Sequence, residues 1–197
     1  MRSLVLSSVL ITLGAAVFAA SPVPRPAHAL DIVDSTGKHQ VLANYKGKVV
    51  VIQFLLTTCP HCQAFSGVLN RLQAEYGPKG FQALGAANES TPELAKEYQT
   101  KYAQAFPVGP VPRETVLTFQ GLSVMDRFGF PQIAVIDRKG DIREQTSGDI
   151  NQRQALQDEP HLRALIEKLL AEGAAGAPSK SGASVTQKGP ATVAAAK

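Results

Sequence analysis

Residues 46–65 read KGKVVVIQFLLTTCPHCQAF, and the fold turns on this stretch. Lys48 to Leu56 is a continuous β-branched and apolar run that follows the turn at Tyr45-Lys46-Gly47. Such a run suits a strand buried on both faces, as in a parallel or mixed sheet. Thr57-Thr58-Cys59-Pro60-His61-Cys62 comes next, and then a helical pattern through Tyr76 that carries Phe65, Leu69 and Leu72. Pro60 fits the first helical turn, where its missing N–H is not needed. Gly77-Pro78-Lys79-Gly80 ends the helix. Cys59 is therefore expected at a helix N-terminus, where unpaired N–H groups and the dipole stabilise a thiolate. The thiolate is the attacking species in disulfide exchange. Cys62 is near enough in sequence to attack the resulting mixed disulfide and release the partner. Cys59 is thus read as the nucleophile, Cys62 as the resolving thiol, and Cys59-Cys62 as the redox-active disulfide. His61 lies between them, and a protonated imidazole there would favour the thiolate and the reduced form. Pro60 and His61 are the residues expected to tune the pair.

Working outward, Asp31 to Leu42 reads as a hairpin around Ser35-Thr36-Gly37. Phe81 to Ala87 is a short strand, and Ser90-Thr91-Pro92-Glu93 opens a helix to about Ala105. Phe106 to Pro112 carries Pro107, Pro110 and Pro112 and reads as a loop. Val116 to Phe119 reads as a brief strand, and Leu122 to Phe128 as a short helix ended by Gly129. Gln132 to Asp137 is a strand, Arg138-Lys139-Gly140 a hairpin turn, and Asp141 to Ser147 the returning strand. Asp137 and Asp141 flank that turn, as turn chemistry explains. A terminal helix covers about Asn151 to Glu172, with Leu162, Leu165, Ile166 and Leu169 on one face. There are no internal repeats. The order β-α-β-α-β-β-α is an α/β layout with a terminal antiparallel pair.

Length and composition set the frame. The 197 residues, 44% of them hydrophobic, suffice for one domain with a real core. Two of the 20 basic side chains (Arg2, Arg25) and none of the 16 acidic ones fall in the first 29 residues, so the remainder carries about +2. That balance, with no Lys/Arg run, gives no footprint for nucleic acid or an anionic membrane. The two cysteines are too close in sequence to staple distant parts of a fold. The N-terminus reads as an export signal: Arg2, the uncharged run Leu4 to Ala20, and a polar stretch ending Ala27-His28-Ala29. The expected domains are a signal peptide at 1–29, a redox domain at 30–172, and a disordered Ala/Gly/Ser-rich tail at 173–197, too poor in large apolar residues to order itself. The expected location is periplasmic or otherwise extracytoplasmic, where disulfide chemistry is permitted. If the signal stays uncleaved, its apolar run is at the short edge of the ~17–25 residues that span a bilayer, and it anchors the protein in the inner membrane.

The stretch 46–65 resembles the active-site segment of thioredoxin-like proteins. With the signal and the N-terminal hairpin, the chain is most similar to the TlpA/ResA-type exported thioredoxin-like thiol–disulfide oxidoreductases. CPHC is the sequence found in bacterial periplasmic disulfide oxidases. Phe128-Gly129-Phe130-Pro131-Gln132-Ile-Ala-Val-Ile-Asp137-Arg-Lys-Gly140 resembles the family's G-x-P block, whose proline is cis and faces the cysteines. The resemblance covers about residues 31–170. It implies a thioredoxin-like fold, a central mixed sheet flanked by helices with an added N-terminal β-hairpin. It implies a substrate groove at Phe130 and Pro131, and Thr58 is placed to touch the partner. It implies protein thiols or disulfides as substrates, a separate redox partner that recycles the cysteines, and no cofactor. Three departures stand out. The family's Trp before the first Cys is Thr58, thioredoxin's buried Asp is Gln53, and the acid that many TlpA-type proteins carry three residues after the second Cys is Phe65. Gln cannot accept a proton, so the acceptor for Cys62 must lie elsewhere. Glu89 is one candidate.

Other readings of the Cys pair rest on the same residues. A metal-handling module, for copper or zinc, would use Cys59, Cys62 and a histidine. Zinc wants four ligands, and only His39, His61 and His161 lie beyond the signal. A peroxidase pattern needs Pro and Thr or Ser where Ile52 and Leu56 stand. A haem-attachment motif fails at Gln63. A non-catalytic interaction domain would show a reduction potential outside any biological range.

Overall fold

Every residue of the strand Val49–Leu55 is buried, and the main sheet is built around it. The computed structural model describes residues 22–146 and 155–174. The chain runs β1 (Arg25–Pro26), β2 (Asp31–Val33), β3 (His39–Val41), β4 (Val49–Leu55), α1 (Pro60–Tyr76), β5 (Phe81–Asn88), α2 (Pro92–Tyr102), β6 (Val108–Val111), α3 (Arg113–Gln120), β7 (Gln132–Ile136), β8 (Asp141–Gln145) and α4 (Glu159–Ala174). Six strands form one sheet in the order β1-β8-β7-β4-β5-β6. β4 pairs parallel with β5 and antiparallel with β7, so Val51 faces Ala83 on one side and Val135 on the other. β2 and β3 form a separate antiparallel hairpin. The fold is a mixed sheet flanked by helices with an added N-terminal hairpin.

Alternation along β4 divides the core. Val49, Val51 and Leu55 join Phe65, Leu69, Tyr98 and Ile166 beneath α1, α2 and α4. Val50, Ile52 and Phe54 face the other way and join Ile32, Val116 and Phe119 beneath the hairpin and α3. This period-two division is why the run reads as continuously apolar: both faces are covered.

Three expectations for the middle of the chain are corrected. Phe106–Pro112 is not a plain loop, because Val108–Val111 form β6, parallel to β5. An edge strand needs only one of its two rows of backbone groups, so Pro110 is tolerated there. Val116–Phe119 is helix, not strand. Pro112 takes an extended conformation at the N-cap, Gly121 closes the helix in the left-handed region (φ 66°), and Val116 and Phe119 bury one helical face. Local β-branched content suggested a strand, but helical spacing and the two end signals prevail. Leu122–Phe128 forms no helix. The Ser123 N–H donates to Asp126 Oδ2 at 2.6 Å and fixes a turn that leaves Val124 and Met125 exposed.

The expected signal and tail lie almost wholly outside the described residues, as do residues 151–154 of the expected terminal helix, and the helix observed there is Glu159–Ala174. Residues 22–29, within the expected signal, are described. Arg25 and Pro26 pair antiparallel with Ile142 and Asp141. Among the described residues no helix is long and apolar enough to cross a membrane.

Candidate active site

The site forms where β4 ends and α1 begins. Cys59 is the N-cap of α1 in an extended conformation, with Pro60 in the first turn. Its Sγ accepts the backbone N–H of Cys62 at 3.4 Å. Sulfur thus occupies the place of a capping oxygen, where negative charge is stabilised by the helix end. Gln63 ties the preceding loop down by donating Nε2–H to the Thr57 carbonyl at 3.0 Å. Cys59 is partly exposed, whereas Cys62 is fully buried, and the two are not joined in a disulfide. Pro60, His61 and Thr58 are exposed around Cys59.

The loop before β7 supplies the opposite wall. The Cys59 thiol donates to the Phe130 carbonyl at 3.8 Å, across 71 positions of sequence. The Phe130–Pro131 peptide is cis. Pro131 is buried and Phe130 half-buried, so Phe130 carries the accessible part of this wall. Phe128 meets Phe130 edge-on at 5.5 Å, and the Arg113 guanidinium lies 4.7 Å from the Phe128 ring centre. Gln132 holds the loop from behind. Its Nε2 donates to the Gly129 carbonyl at 2.7 Å, and its Oε1 accepts the Thr146 hydroxyl at 2.5 Å.

Beneath Cys62 lies a buried polar cluster. Gln53 Nε2 donates to the Cys62 carbonyl at 2.8 Å. The Ser66 hydroxyl donates to Gln53 Oε1 at 2.8 Å and meets the Tyr98 hydroxyl at 2.8 Å. Burial pushes the Tyr98 phenol far up from its ordinary value, and the nearby cysteines add to the rise. Sequence reasoning noted Gln53 only as a departure and did not find Ser66 or Tyr98. Ser66 lies four residues after Cys62, on the same helix face, and that spacing was the available signal.

The other candidates have polar contacts of their own. Glu89 is exposed at the end of β5, with φ 48°, and accepts from Asn88 Nδ2 at 3.4 Å. His39 Nδ1 is 2.7 Å from Asp31 Oδ2, and His161 Nε2 is 2.9 Å from Glu144 Oε2. Among the described residues, no group of three or more His, Cys, Asp or Glu side chains could hold a metal ion.

The model of the Redoxin family matches residues 19–166, which take in the whole of this site. The chain belongs to the redoxin family. Its relatives sharpen the placement. This redoxin is 26% identical over 123 residues to the thiol-disulfide oxidoreductase ResA of Bacillus anthracis, covering 62% of this chain and 68% of that one. It is 25% identical over 173 residues to ResA of Geobacillus thermodenitrificans, covering 84% and 94%. In fold it superposes on a thiol:disulfide interchange protein of Chlorobium tepidum with a TM-score of 0.62, at 24% identity, over 77% of this chain and 99% of that one. The redoxin is an oxidoreductase of the TlpA/ResA type.

Proposed function

We propose that the protein is exported and exchanges disulfides with partner proteins through the Cys59/Cys62 dithiol–disulfide couple. The observation that carries this reading is the asymmetry of the pair. One sulfur is partly exposed and capped by a helix-end N–H, and the other is buried one turn behind it. In the reducing direction, the Cys59 thiolate attacks a partner disulfide, which forms a mixed disulfide and expels one partner thiolate. Cys62 then attacks Cys59 Sγ. The Cys59–Cys62 bond forms, the mixed disulfide breaks, and the second partner sulfur leaves as thiolate. The oxidising direction is the reverse of these steps, and a separate redox partner resets the pair. The direction follows from the potential of the couple against that of its partner. Phe130 and Thr58, on either side of Cys59, line the place where the partner's chain docks, with Pro131 supporting Phe130.

Insulin reduction by the purified protein tests the reading. Cys59→Ser is expected to abolish activity, and in the reduced wild type Cys59 is expected to be alkylated faster than Cys62. Retained activity in Cys59→Ser, or equal slow labelling of both thiols, overturns it. The equilibrium potential in a glutathione buffer assigns the direction, and fractionation of the producing cell tests export.

A further inference from the structure

We infer that Ser66 and Tyr98 are positioning residues for the resolving step, acting on Cys62 through Gln53. This rests on the exchange function proposed above. The cluster links three elements: Gln53 comes from β4, Ser66 and Cys62 from α1, and Tyr98 from α2. Gln53, Ser66 and Cys62 are 0% exposed and Tyr98 is 2% exposed, so water does not compete for their hydrogen bonds.

The direction of each hydrogen bond follows from chemistry. The Cys62 carbonyl can only accept, so Gln53 turns its amide N–H₂ towards it at 2.8 Å. Gln53 Oε1 therefore faces Ser66 and can only accept, so the single Ser66 proton is spent on it. The Ser66 oxygen is then left to accept, and the Tyr98 O–H donates to it. The chain runs one way, from Tyr98 through Ser66 and Gln53 to the Cys62 carbonyl. Burial favours the protonated Tyr98 phenol, which keeps it a donor.

The consequence falls on the second step of exchange. A fully buried Cys62 can reach Cys59 Sγ only from a fixed first turn, and Gln53 holds that turn by its carbonyl. Ser66 keeps the Gln53 amide from rotating, and Tyr98 orients Ser66. As Cys62 attacks, its proton is released and the departing partner sulfur takes one up, so the step balances. Gln53 stands where a buried acid would serve as a base. Here the chain fixes geometry and transfers no proton.

Single-turnover reaction of the reduced protein with dithiobis-nitrobenzoate separates the two steps. The first coloured thiolate reports attack by Cys59, and the second reports resolution by Cys62. Ser66→Ala is expected to leave the first phase within about twofold and slow the second by roughly five- to tenfold, the scale of one buried hydrogen bond. Tyr98→Phe is expected to slow the second phase by a smaller factor. The double variant is expected to match Ser66→Ala alone, because Tyr98 acts only through Ser66. A second phase unchanged in Ser66→Ala, or additive slowing in the double variant, overturns the inference, whatever happens to stability. If Ser66→Ala does not fold, an unchanged second phase in Tyr98→Phe overturns it equally. No second phase in the wild type would instead sink the exchange function itself.

Discussion

Cys59 and Cys62 share one helical turn, yet their surroundings differ: one caps the helix and the other is buried within it. Residue chemistry of the same kind acts at Asp137, where a carboxylate organises a turn. Its Oδ1 accepts the backbone N–H groups of Lys139, Gly140 and Asp141, and its Oδ2 accepts from Arg143 at 3.1 Å. Burial alone would raise this carboxyl, but the N–H groups of Asp141 and Lys139 and the Arg143 guanidinium outweigh it and hold the group below its ordinary value. A folded-state pKa below the unfolded one gives stability that is present above the ordinary carboxylate range. That stability is lost as pH falls through the lower folded value. Asp137→Asn is expected to cost about 1–2 kcal/mol near neutral pH. The gap from wild type should close in acid, as pH falls through the lowered folded-state value. Urea unfolding at neutral and acid pH checks this, and a gap independent of pH would show that the charge is not what matters. Asp137 was legible as a turn residue because its partners lie within six positions. Its partner Arg143 also bonds Glu172 at 2.6 Å, a contact no local reading contains.

Among the elements, the N-terminal hairpin was legible but its seat was not. It stays outside the main sheet and packs on β6, where Gly109 lets the two backbones meet. A Cβ on Gly109 would lie 2.1 Å from the Val33 carbonyl oxygen and 2.6 Å from Ile32 Cγ2. Both are parts of β2, and one is backbone that cannot turn aside. Gly109→Ala is expected to destabilise the protein by about 2–3 kcal/mol, the upper range for overpacking. Amide exchange should speed up first in residues 31–41. Uniform loss of protection across the sheet would mean that the hairpin is not a separable unit. β6 and α3 were misread for one reason. Prolines and β-branched residues report local preference, whereas the element adopted there depends on an edge position beside β5 and on which face is buried.

At the scale of the whole molecule, the sheet ends on a strand that belongs to the expected signal. Arg25 Nη2 donates to the Phe119 carbonyl at 2.5 Å and to Gln145 Oε1 at 2.9 Å, and Ala27 N–H donates to the Gly140 carbonyl at 3.0 Å. A cut after Ala29 would remove all three and bare the edge of β8. If the protein is exported as proposed, a chain that starts before Arg25 keeps these contacts and one that starts at Leu30 lacks them, and N-terminal sequencing distinguishes the two. A version beginning at Leu30 is expected to lose about 1–3 kcal/mol of stability. Equal stability of the two versions would show that the contacts of Arg25 and Ala27 carry no weight in the fold.

By itself, the sequence determined the buried central strand, the helix that follows it, and the closeness of Cys59 and Cys62 at their junction. Each of these is written within one stretch, in the spacing of apolar residues, a proline in the first turn and two close thiols. Only the tertiary structure decided what surrounds the pair. Phe130 comes to Cys59 from 71 positions away, and Tyr98 reaches Ser66 from 32 positions away. Contacts between distant segments depend on how the sheet orders its strands and on which groups are left buried without water. Neither leaves a periodic trace in the chain.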